Sequence, residues 1–254
     1  MKVGIIQGRL STPTEGFQEC PKNWRREFDL LDNMNLNDVE WIITKKSFST
    51  NPIFFESALD YPIHSICADN LVDSGIHDKK YLKRNLIPIC TAALRNNIRC
   101  ITIPLLEESD MSDDNQRHAF GKVMQSMSEN FPTIGFLFEA ELEADKLLEI
   151  LELSNNFYVT YDTGNITSCG YNHEEYIAKI GKYIRNVHLK DRTHEAQTVF
   201  PTSGDTDFKM IFKYLKSHGY NGVYTLQTAR GKSGNEINTI LLHKDIFERI
   251  YYEQ

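Results

Sequence analysis

Short runs of apolar and β-branched residues recur along the chain, and each is followed by a polar loop and a segment with helical spacing. Residues 144–153 illustrate the helical pattern, since Leu147, Leu148 and Leu151 share one face and Glu149 lies on the opposite face. A helix with one apolar stripe must bury that stripe against a sheet. The pattern therefore predicts strands that alternate with covering helices.

This pattern predicts eight strands and seven clear helices. The strands are predicted at residues 3–7, 38–43, 63–67, 100–103, 135–139, 157–161, 184–189 and 223–227. The helices are predicted at residues 24–34, 78–96, 115–130, 144–153, 174–180, 207–218 and 235–251, with a weaker one at 51–59.

Alternating strands and amphipathic helices predict parallel strands joined by right-handed crossovers. Eight such units in 254 residues favour a single closed (β/α)8 barrel, the TIM barrel, with residues 1–254 forming one domain. No linker rich in proline, glycine or serine divides the chain. The alternative is an open doubly wound sheet, but the first strand is followed by neither G-x-G-x-x-G nor a P-loop lysine motif.

Composition excludes several classes of protein. Hydrophobic residues make up 41% of the chain and charged residues 25%, which is typical of a globular domain and not of a disordered or collagen-like chain. The formal net charge is −7, which opposes binding to nucleic-acid phosphates or to an anionic membrane surface.

The cysteines and the N-terminus predict a location. The five cysteines are widely spread and show no C-x-x-C spacing, so neither a disulfide framework nor a structural zinc site is indicated. No signal-like apolar stretch opens the chain, and no apolar run approaches the roughly 18 residues of a membrane span. These features predict a cytoplasmic protein.

In a (β/α)8 barrel the active site lies at the carboxyl ends of the strands, so polar residues there are the candidates for chemistry. Glu139, Asp162 and His188 close three successive predicted strands and are predicted to converge on one point. Two carboxylates and an imidazole suit a divalent cation, and Gln227 after the last strand can supply a fourth, neutral oxygen.

Each of these residues also has a structural interpretation. Glu139 can be a hydrogen-bonded loop residue, Asp162 can cap a turn, and His188 can be a satisfied core histidine. Their convergence favours the metal site over three separate structural roles.

Other polar residues at the strand ends are predicted to bind substrate. They are Gln7, Arg9, Cys67, Asp69, Glu107, Asn165, Lys190 and Arg230. Arg9, Lys190 and Arg230 follow strands that neighbour one another in a closed barrel, which predicts a positive rim that prefers phosphorylated or carboxylated ligands. The alternatives are solvated charges for these three and apolar packing for Cys67.

Several short segments at the strand ends form a distinctive series along the chain. They are Gly4-Ile-Ile-Gln-Gly-Arg-Leu-Ser11, Val39-Glu-Trp-Ile42, Cys67-Ala-Asp69, Pro104-Leu-Leu-Glu-Glu-Ser109, Phe138-Glu139, Tyr161-Asp-Thr-Gly-Asn165, Val187-His-Leu-Lys-Asp-Arg192 and Leu226-Gln-Thr-Ala-Arg230. Within them, Glu139, Asp162, His188 and Gln227 are separated by 23, 26 and 39 residues. In this order the segments resemble those of the xylose isomerase-like barrel superfamily of sugar and sugar-phosphate isomerases and epimerases.

The resemblance implies that Glu139, Asp162 and His188 match three of four metal ligands, with Gln227 where members usually carry a second glutamate. In epimerases the two glutamates exchange protons on opposite substrate faces, and glutamine cannot do so near neutral pH. Metal affinity is expected to fall because one anionic ligand is lost. Asn165 is a second departure, since many members carry a histidine there.

The resemblance implies an isomerase or epimerase that acts on a small sugar, polyol or sugar phosphate with a divalent metal (Mn, Mg, Zn or Co). Glu139 would be both ligand and catalytic proton-transfer group, which favours one-face isomerisation unless Glu107 or Glu108 supplies a second base. The alternative is a barrel that binds a sugar-like ligand without turnover, with Gln227 marking the loss of chemistry.

The superfamily also contains apurinic-site endonucleases, but only His188 matches their many zinc-binding histidines, and the acidic charge opposes DNA. No nucleic-acid or membrane partner is expected, and assembly into a homo-oligomer stays open.

Overall fold

Eight parallel strands close into a barrel in a computed structural model that describes residues 1–14, 16–56 and 59–253. Around the barrel the strands follow the order β1, β2, β3, β4, β5, β6, β7 and β10, and β10 pairs with β1. Their bounds are β1 Lys2–Ile6, β2 Val39–Ile42, β3 Ile63–Cys67, β4 Cys100–Leu105, β5 Gly135–Ala140, β6 Phe157–Asp162, β7 Ile184–Leu189 and β10 Val223–Leu226. The predicted (β/α)8 barrel is confirmed.

Helices cover the outside of the barrel because each presents one apolar stripe to the strands. Asp78, Asp113 and Asp207 cap three of them by accepting hydrogen bonds from backbone N–H groups of the first turn. The helices are α1 Arg25–Asp29, α2 Leu31–Met34, α3 Lys79–Arg95, α4 Asp114–Asn130, α5 Ala144–Leu151, α6 Thr163–Ser168, α7 His173–Ile180, α8 Phe208–Ser217 and α9 Glu236–Tyr252.

The structure corrects three details of the predicted elements. The helix predicted at 24–34 is interrupted at Leu30, whose N–H bonds to Glu27 three residues back and so tightens the turn. The weak helix predicted at 51–59 is a single 3-10 turn at Pro52–Phe54, and residues 57 and 58 lie outside the described residues. Helix α6 and a small hairpin of β8 (Asp191–Arg192) and β9 (Thr198–Val199) were not predicted.

The middle of the barrel interior is polar. Thr102 on β4 hydrogen-bonds Thr160 on β6 at 2.8 Å, and Asn186 on β7 donates to Glu40 on β2 at 3.2 Å. These strands are not neighbours, so the side chains meet across the interior. Branched aliphatic side chains usually fill this layer of a (β/α)8 barrel, whereas here buried polar groups satisfy one another.

Apolar packing lies mainly between the strands and the helices. A second, small apolar cluster lies apart from it, where Ile6, Ile42 and Cys67 on β1, β2 and β3 pack together with Cys20. Among the helices of the described residues, none combines the length and apolar character that crossing a bilayer requires.

Candidate metal centre

Three predicted ligands meet at the carboxyl ends of β5, β6 and β7. One ligand atom from each of Glu139, Asp162 and His188 lies within 4.8 Å of the other two. The pairing of Asp162 with His188 across β6 and β7 brings these two side chains side by side. All three are buried, with 3%, 2% and 0% of their surface exposed.

The two ring nitrogens of His188 have different surroundings. Nε2 lies 2.6 Å from Oε2 of Glu40, deep in the barrel. Nδ1 lies 3.5 Å from Glu139 Oε2 and 3.9 Å from Asp162 Oδ2, and it has no well-formed hydrogen bond to any described residue. His188 is thus held through one nitrogen and presents the other to two carboxylates.

This arrangement fits a divalent cation. Its ligand atoms are one buried histidine nitrogen without a hydrogen-bond partner among the described residues and two carboxylate oxygens. Zn²⁺ and Mn²⁺ both bind this combination of ligands. Ligands lie about 2.0 to 2.3 Å from such ions, so atoms this close together need only small side-chain rotations to share one. Glu139, Asp162 and His188 would hold the ion.

Gln227 directly follows β10 and is 6% exposed, and its backbone N–H donates to Leu189 O on β7. Its Oε1 makes no hydrogen bond to any described residue. A buried amide oxygen without a donor has unmet capacity that a cation can satisfy. Its role as the fourth ligand stays a prediction.

Lys190 and Asn165 surround the two carboxylates. Lys190 Nζ lies 2.7 Å from Asp162 Oδ2 and 3.4 Å from Asn165 Oδ1. Asn165 Nδ2 donates to Glu139 Oε1 at 3.1 Å, and its backbone N–H donates to Asp162 Oδ1 at 2.8 Å because Asp162 caps helix α6. Asn165 therefore orients both carboxylates.

The charges in this cluster support one another. Burial disfavours a charged imidazole, but the carboxylates of Glu40 and Glu139 raise the pKa of His188 to about 10. Burial likewise opposes a charged carboxylate, but His188 lowers the pKa of Glu40 to about 2. The pKa of Asp162 also falls, against the effect of burial, because Lys190 and His188 lie beside it. A cation entering this cluster therefore has to displace the His188 proton.

Arg9 and Arg230 hold the loop that follows β1. Arg9 Nη1 and Arg230 Nε both donate to Phe17 O at 3.0 Å, and Arg230 Nη1 donates to Gly8 O at 2.9 Å. Both guanidinium groups also lie over the Phe17 ring. They are brought together as predicted, but most of their donors contact the backbone, whereas Lys190 pairs with Asp162. Arg9 Nη2 makes no hydrogen bond to a described residue, and the shared anion-binding rim stays a prediction.

The residues predicted to bind substrate at β1 and β3 lie on the other side of the barrel mouth. Gln7 is fully buried, with Oε1 accepting from Ile42 N at 3.1 Å and Nε2 making no hydrogen bond to a described residue. Cys67 packs in the apolar cluster, and burial raises the pKa of its thiol well above the usual range, which supports a packing role. Asp69 lines a cavity of about 340 Å³ with Cys20 and other residues.

Glu107 and Glu108 start a short 3-10 helix after β4, and both are exposed. Neither contributes to the group of Glu139, Asp162 and His188, so this conformation supplies no second base from that loop. A larger cavity, of about 600 Å³, lies between the loop after β1 and the start of α9, away from the three ligands.

Sequence reasoning missed Glu40. It lies in the middle of β2, not at a strand end, and it is completely buried against His188. The available signal was a charged residue between apolar neighbours in Val39-Glu-Trp-Ile42. Such a residue in a buried parallel strand requires a partner inside the barrel.

Comparison with known proteins agrees with this architecture. Residues 123–243 match the family described as xylose isomerase-like TIM barrel, so the resemblance noted in the sequence is confirmed over that stretch. Inosose dehydratase of Clostridium botulinum is 31% identical over 36% of this chain, and that of Clostridium perfringens 28% identical over 35%. In each case the chain spans 36% of the length of the relative that it matches.

Two solved structures share the fold over nearly the full chain. An L-ribulose 3-epimerase has a TM-score of 0.73 and 12% identity, with 100% of this chain and 95% of that chain covered. The IOLI protein with a bound zinc atom has a TM-score of 0.75 and 14% identity, covering 98% of this chain and 99% of that chain. The curated relatives are named for an inosose, and one of these two structures is named for L-ribulose.

Proposed function

We propose that this protein is a divalent-metal-dependent enzyme that acts on a small polyhydroxylated carbonyl compound, a sugar or polyol ketone, by moving a proton next to the carbonyl group. The observation that carries the proposal is the buried group of Glu139, Asp162 and His188, in which one histidine nitrogen faces two carboxylates without a hydrogen-bond partner of its own among the described residues. The IOLI neighbour, which shares this fold, binds a zinc atom, and this supports a metal-binding role for the present barrel.

Glu139 is the proposed proton-transfer group. Its Oε1 accepts a hydrogen bond from Asn165 Nδ2, and this bond orients the carboxylate so that Oε2 faces His188. A bound cation would act as a Lewis acid that polarises the substrate carbonyl and so acidifies the neighbouring C–H bond. Glu139 takes that proton and returns it to the adjacent carbon, while the proton of the neighbouring hydroxyl group moves to the former carbonyl oxygen. Together these transfers convert an aldose into a ketose through an enediol on one face of the substrate.

Gln227 limits the chemistry to one base in this arrangement. An amide oxygen can bind a cation, but it cannot accept and return a proton near neutral pH. With Glu107 and Glu108 exposed, isomerisation on one face is therefore favoured over epimerisation by two opposed bases.

An uncharged substrate fits the contacts better than a phosphate ester. Arg9 and Arg230 donate to backbone carbonyls of the β1 loop, and Lys190 is paired with Asp162. A phosphate group would have to displace most of these contacts before it gained charge-assisted hydrogen bonds. The exception is Arg9 Nη2, which makes no hydrogen bond to a described residue. The proposed setting is the reducing cytoplasm that the unpaired cysteines favour.

Dehydration is a second candidate, favoured by the two relatives named inosose dehydratase. It shares the first step, removal of a proton by Glu139. The electron pair then expels the hydroxyl group from the β carbon, and that hydroxyl leaves as water with the proton that Glu139 removed, which returns Glu139 to its ionised form. Isomerisation and dehydration therefore diverge only after proton removal.

Proton exchange with solvent tests the shared first step. Chelator-stripped protein is reloaded with Mn²⁺, Co²⁺ or Zn²⁺ and incubated in D₂O with neutral aldoses, ketoses and keto-polyols, and with their phosphate esters. We expect metal-dependent deuterium at the carbon next to the carbonyl of a neutral compound, followed by isomer or dehydrated product in the NMR spectrum. Ligand binding without exchange would favour the alternative of a sugar-binding barrel without turnover.

A further inference from the structure

Glu40 is the most deeply buried charged group in contact with the candidate metal centre, with none of its surface exposed. Three donors hold its carboxylate: Thr102 Oγ1 at 2.8 Å on Oε1, with Asn186 Nδ2 at 3.2 Å and His188 Nε2 at 2.6 Å on Oε2. A buried carboxylate costs several kcal/mol unless it is paired and hydrogen-bonded. The surrounding strands are therefore built to keep this charge in contact with His188.

The contact decides which nitrogen of His188 carries a proton. An ionised carboxylate can only accept hydrogen bonds, so Nε2 must donate to Glu40. When the imidazole is neutral, the lone pair is then on Nδ1. Nδ1 is also the nitrogen that faces Glu139 and Asp162 at 3.5 and 3.9 Å.

We propose that Glu40 is a positioning residue that holds His188 in the Nε2–H tautomer and thereby presents the Nδ1 lone pair to the cation. This inference rests on the proposed metal-dependent function and adds a role for a residue that no substrate or metal ion would touch. A carboxylate that accepts from the outer nitrogen of a ligating histidine fixes the ring orientation and raises its basicity. Loss of such a partner typically weakens metal affinity by about 10- to 100-fold.

A purely structural role for Glu40 makes a different prediction. If Glu40 only fills the barrel interior, its replacement changes the melting temperature and leaves the affinity of the folded protein for metal unchanged. In Glu40→Gln the neutral amide has nearly the same size, but it can rotate and donate to Nε2. That donation favours the Nδ1–H tautomer, which has no lone pair on Nδ1 and cannot ligate a cation through that nitrogen.

The test measures Zn²⁺ and Co²⁺ dissociation constants on the chelator-stripped full chain, by competition with a chromophoric chelator. Thr102→Val is the matched control, because it removes a different hydrogen bond to the same carboxylate and leaves the His188 contact in place. We expect metal binding about 10- to 100-fold weaker in Glu40→Gln and within about threefold of wild type in Thr102→Val. Equal affinity in all three proteins, or equal losses in both variants, would overturn the positioning role.

A second measurement uses the wild-type chain, so it holds even if Glu40→Gln does not fold. In the Zn²⁺-loaded protein with ¹⁵N-labelled histidine, the His188 signal, assigned by its loss in His188→Gln, should show a proton on Nε2 and none on Nδ1. A proton on Nδ1, or Zn²⁺ bound through Nε2, would contradict the inference. Failure of the wild type to bind either metal would contradict both this inference and the proposed function. If the three proteins show the expected metal affinities but the wild type turns over no polyol, only the proposed function is contradicted.

Discussion

The two sides of the barrel mouth present opposite chemistry at the same ends of equivalent parallel strands. On β5, β6 and β7 the inward side chains are charged or ionisable, and their ligand atoms lie within 4.8 Å of one another. On β1, β2 and β3 they are Ile6, Ile42 and Cys67, which pack with Cys20 in an apolar cluster. The fold alone therefore does not make a metal site.

The apolar side also serves the polar side. Its side chains are buried and apolar, and interactions between charges are stronger where the local dielectric constant is low. Ile42 connects the two sides, since it is two residues after Glu40 on the same strand and so shares its inward direction. We expect changes on the polar side to alter chemistry and changes on the apolar side to alter stability.

The largest expected effect is on the polar side, in Glu139→Gln. Loss of the proton-transfer group should lower turnover by about 10²- to 10⁴-fold, since that is the usual contribution of a positioned acid or base. Glutamine can still accept the hydrogen bond from Asn165, so the fold should persist. Glu141→Gln is the control, because this residue lies just after the same strand and pairs with Arg192. Similar losses in both variants would deny Glu139 a specific role.

The apolar side is tested by Ile42→Ala. Deleting part of a fully buried side chain should lower the free energy of unfolding by about 2 to 5 kcal/mol, through lost burial and the cavity left behind. Metal affinity of the folded protein should stay within about threefold of wild type. Denaturant titration measures the first quantity and chelator competition the second. A parallel fall in metal affinity would mean that the two sides are not separable.

The stability of the fold is expected to depend on pH through His173, which packs against β6 next to the polar side. Its ring nitrogens contact Tyr161 Oη at 2.5 Å and Thr167 Oγ1 at 3.0 Å, and burial lowers its pKa from 6.5 to about 4. Between these values the unfolded state binds a proton that the folded state does not. Stability is therefore lost as pH falls from about 6.5 towards 4, by up to about 3 kcal/mol from this residue.

The test of this effect compares wild type with His173→Gln by denaturant titration at pH 7.5 and pH 4.5. The stability difference between the two proteins should shrink or reverse at the lower pH, because glutamine does not titrate. His118→Gln, at an exposed position on α4, is the control and should follow wild type. A stability difference that is the same at both pH values would show that His173 does not contribute to acid sensitivity.

The smallest expected effect is a gain in metal affinity in Gln227→Glu. An added carboxylate beside the cation restores a third anionic ligand, and we expect about tenfold tighter Mn²⁺ or Zn²⁺ binding, equivalent to about 1.4 kcal/mol. Gln227→Ala should bind less tightly than wild type. If the metal affinities of both variants equal that of wild type, Gln227 is not a ligand.

The sequence was sufficient to predict the barrel and the polar side of its mouth. The carboxyl ends of parallel strands meet at one face, so polar residues directly after strands can be located from the strand pattern alone. Glu139, Asp162 and His188 follow this rule, and the structure brings their ligand atoms together.

Contacts that depend on distant pairings could not be predicted. Glu40 reaches Thr102 and Asn186, which are 62 and 146 residues away along the chain, and only the closed barrel brings them together. The sequence predicts anion binding by the arginines after β1 and β10, but it does not show which backbone carbonyls a loop will present to them. In the structure Phe17 O accepts hydrogen bonds from both Arg9 and Arg230.

Anomalous diffraction from crystals of the wild-type chain grown with Mn²⁺ tests the central claim most directly. We predict one strong peak at the carboxyl ends of β5 to β7, about 2.0 to 2.3 Å from carboxylate oxygens of Glu139 and Asp162 and from Nδ1 of His188. The Oε1 atom of Gln227 should complete the protein ligands. A peak bound elsewhere on the chain, or no peak at a Mn²⁺ concentration that saturates the protein in solution, would contradict the metal centre.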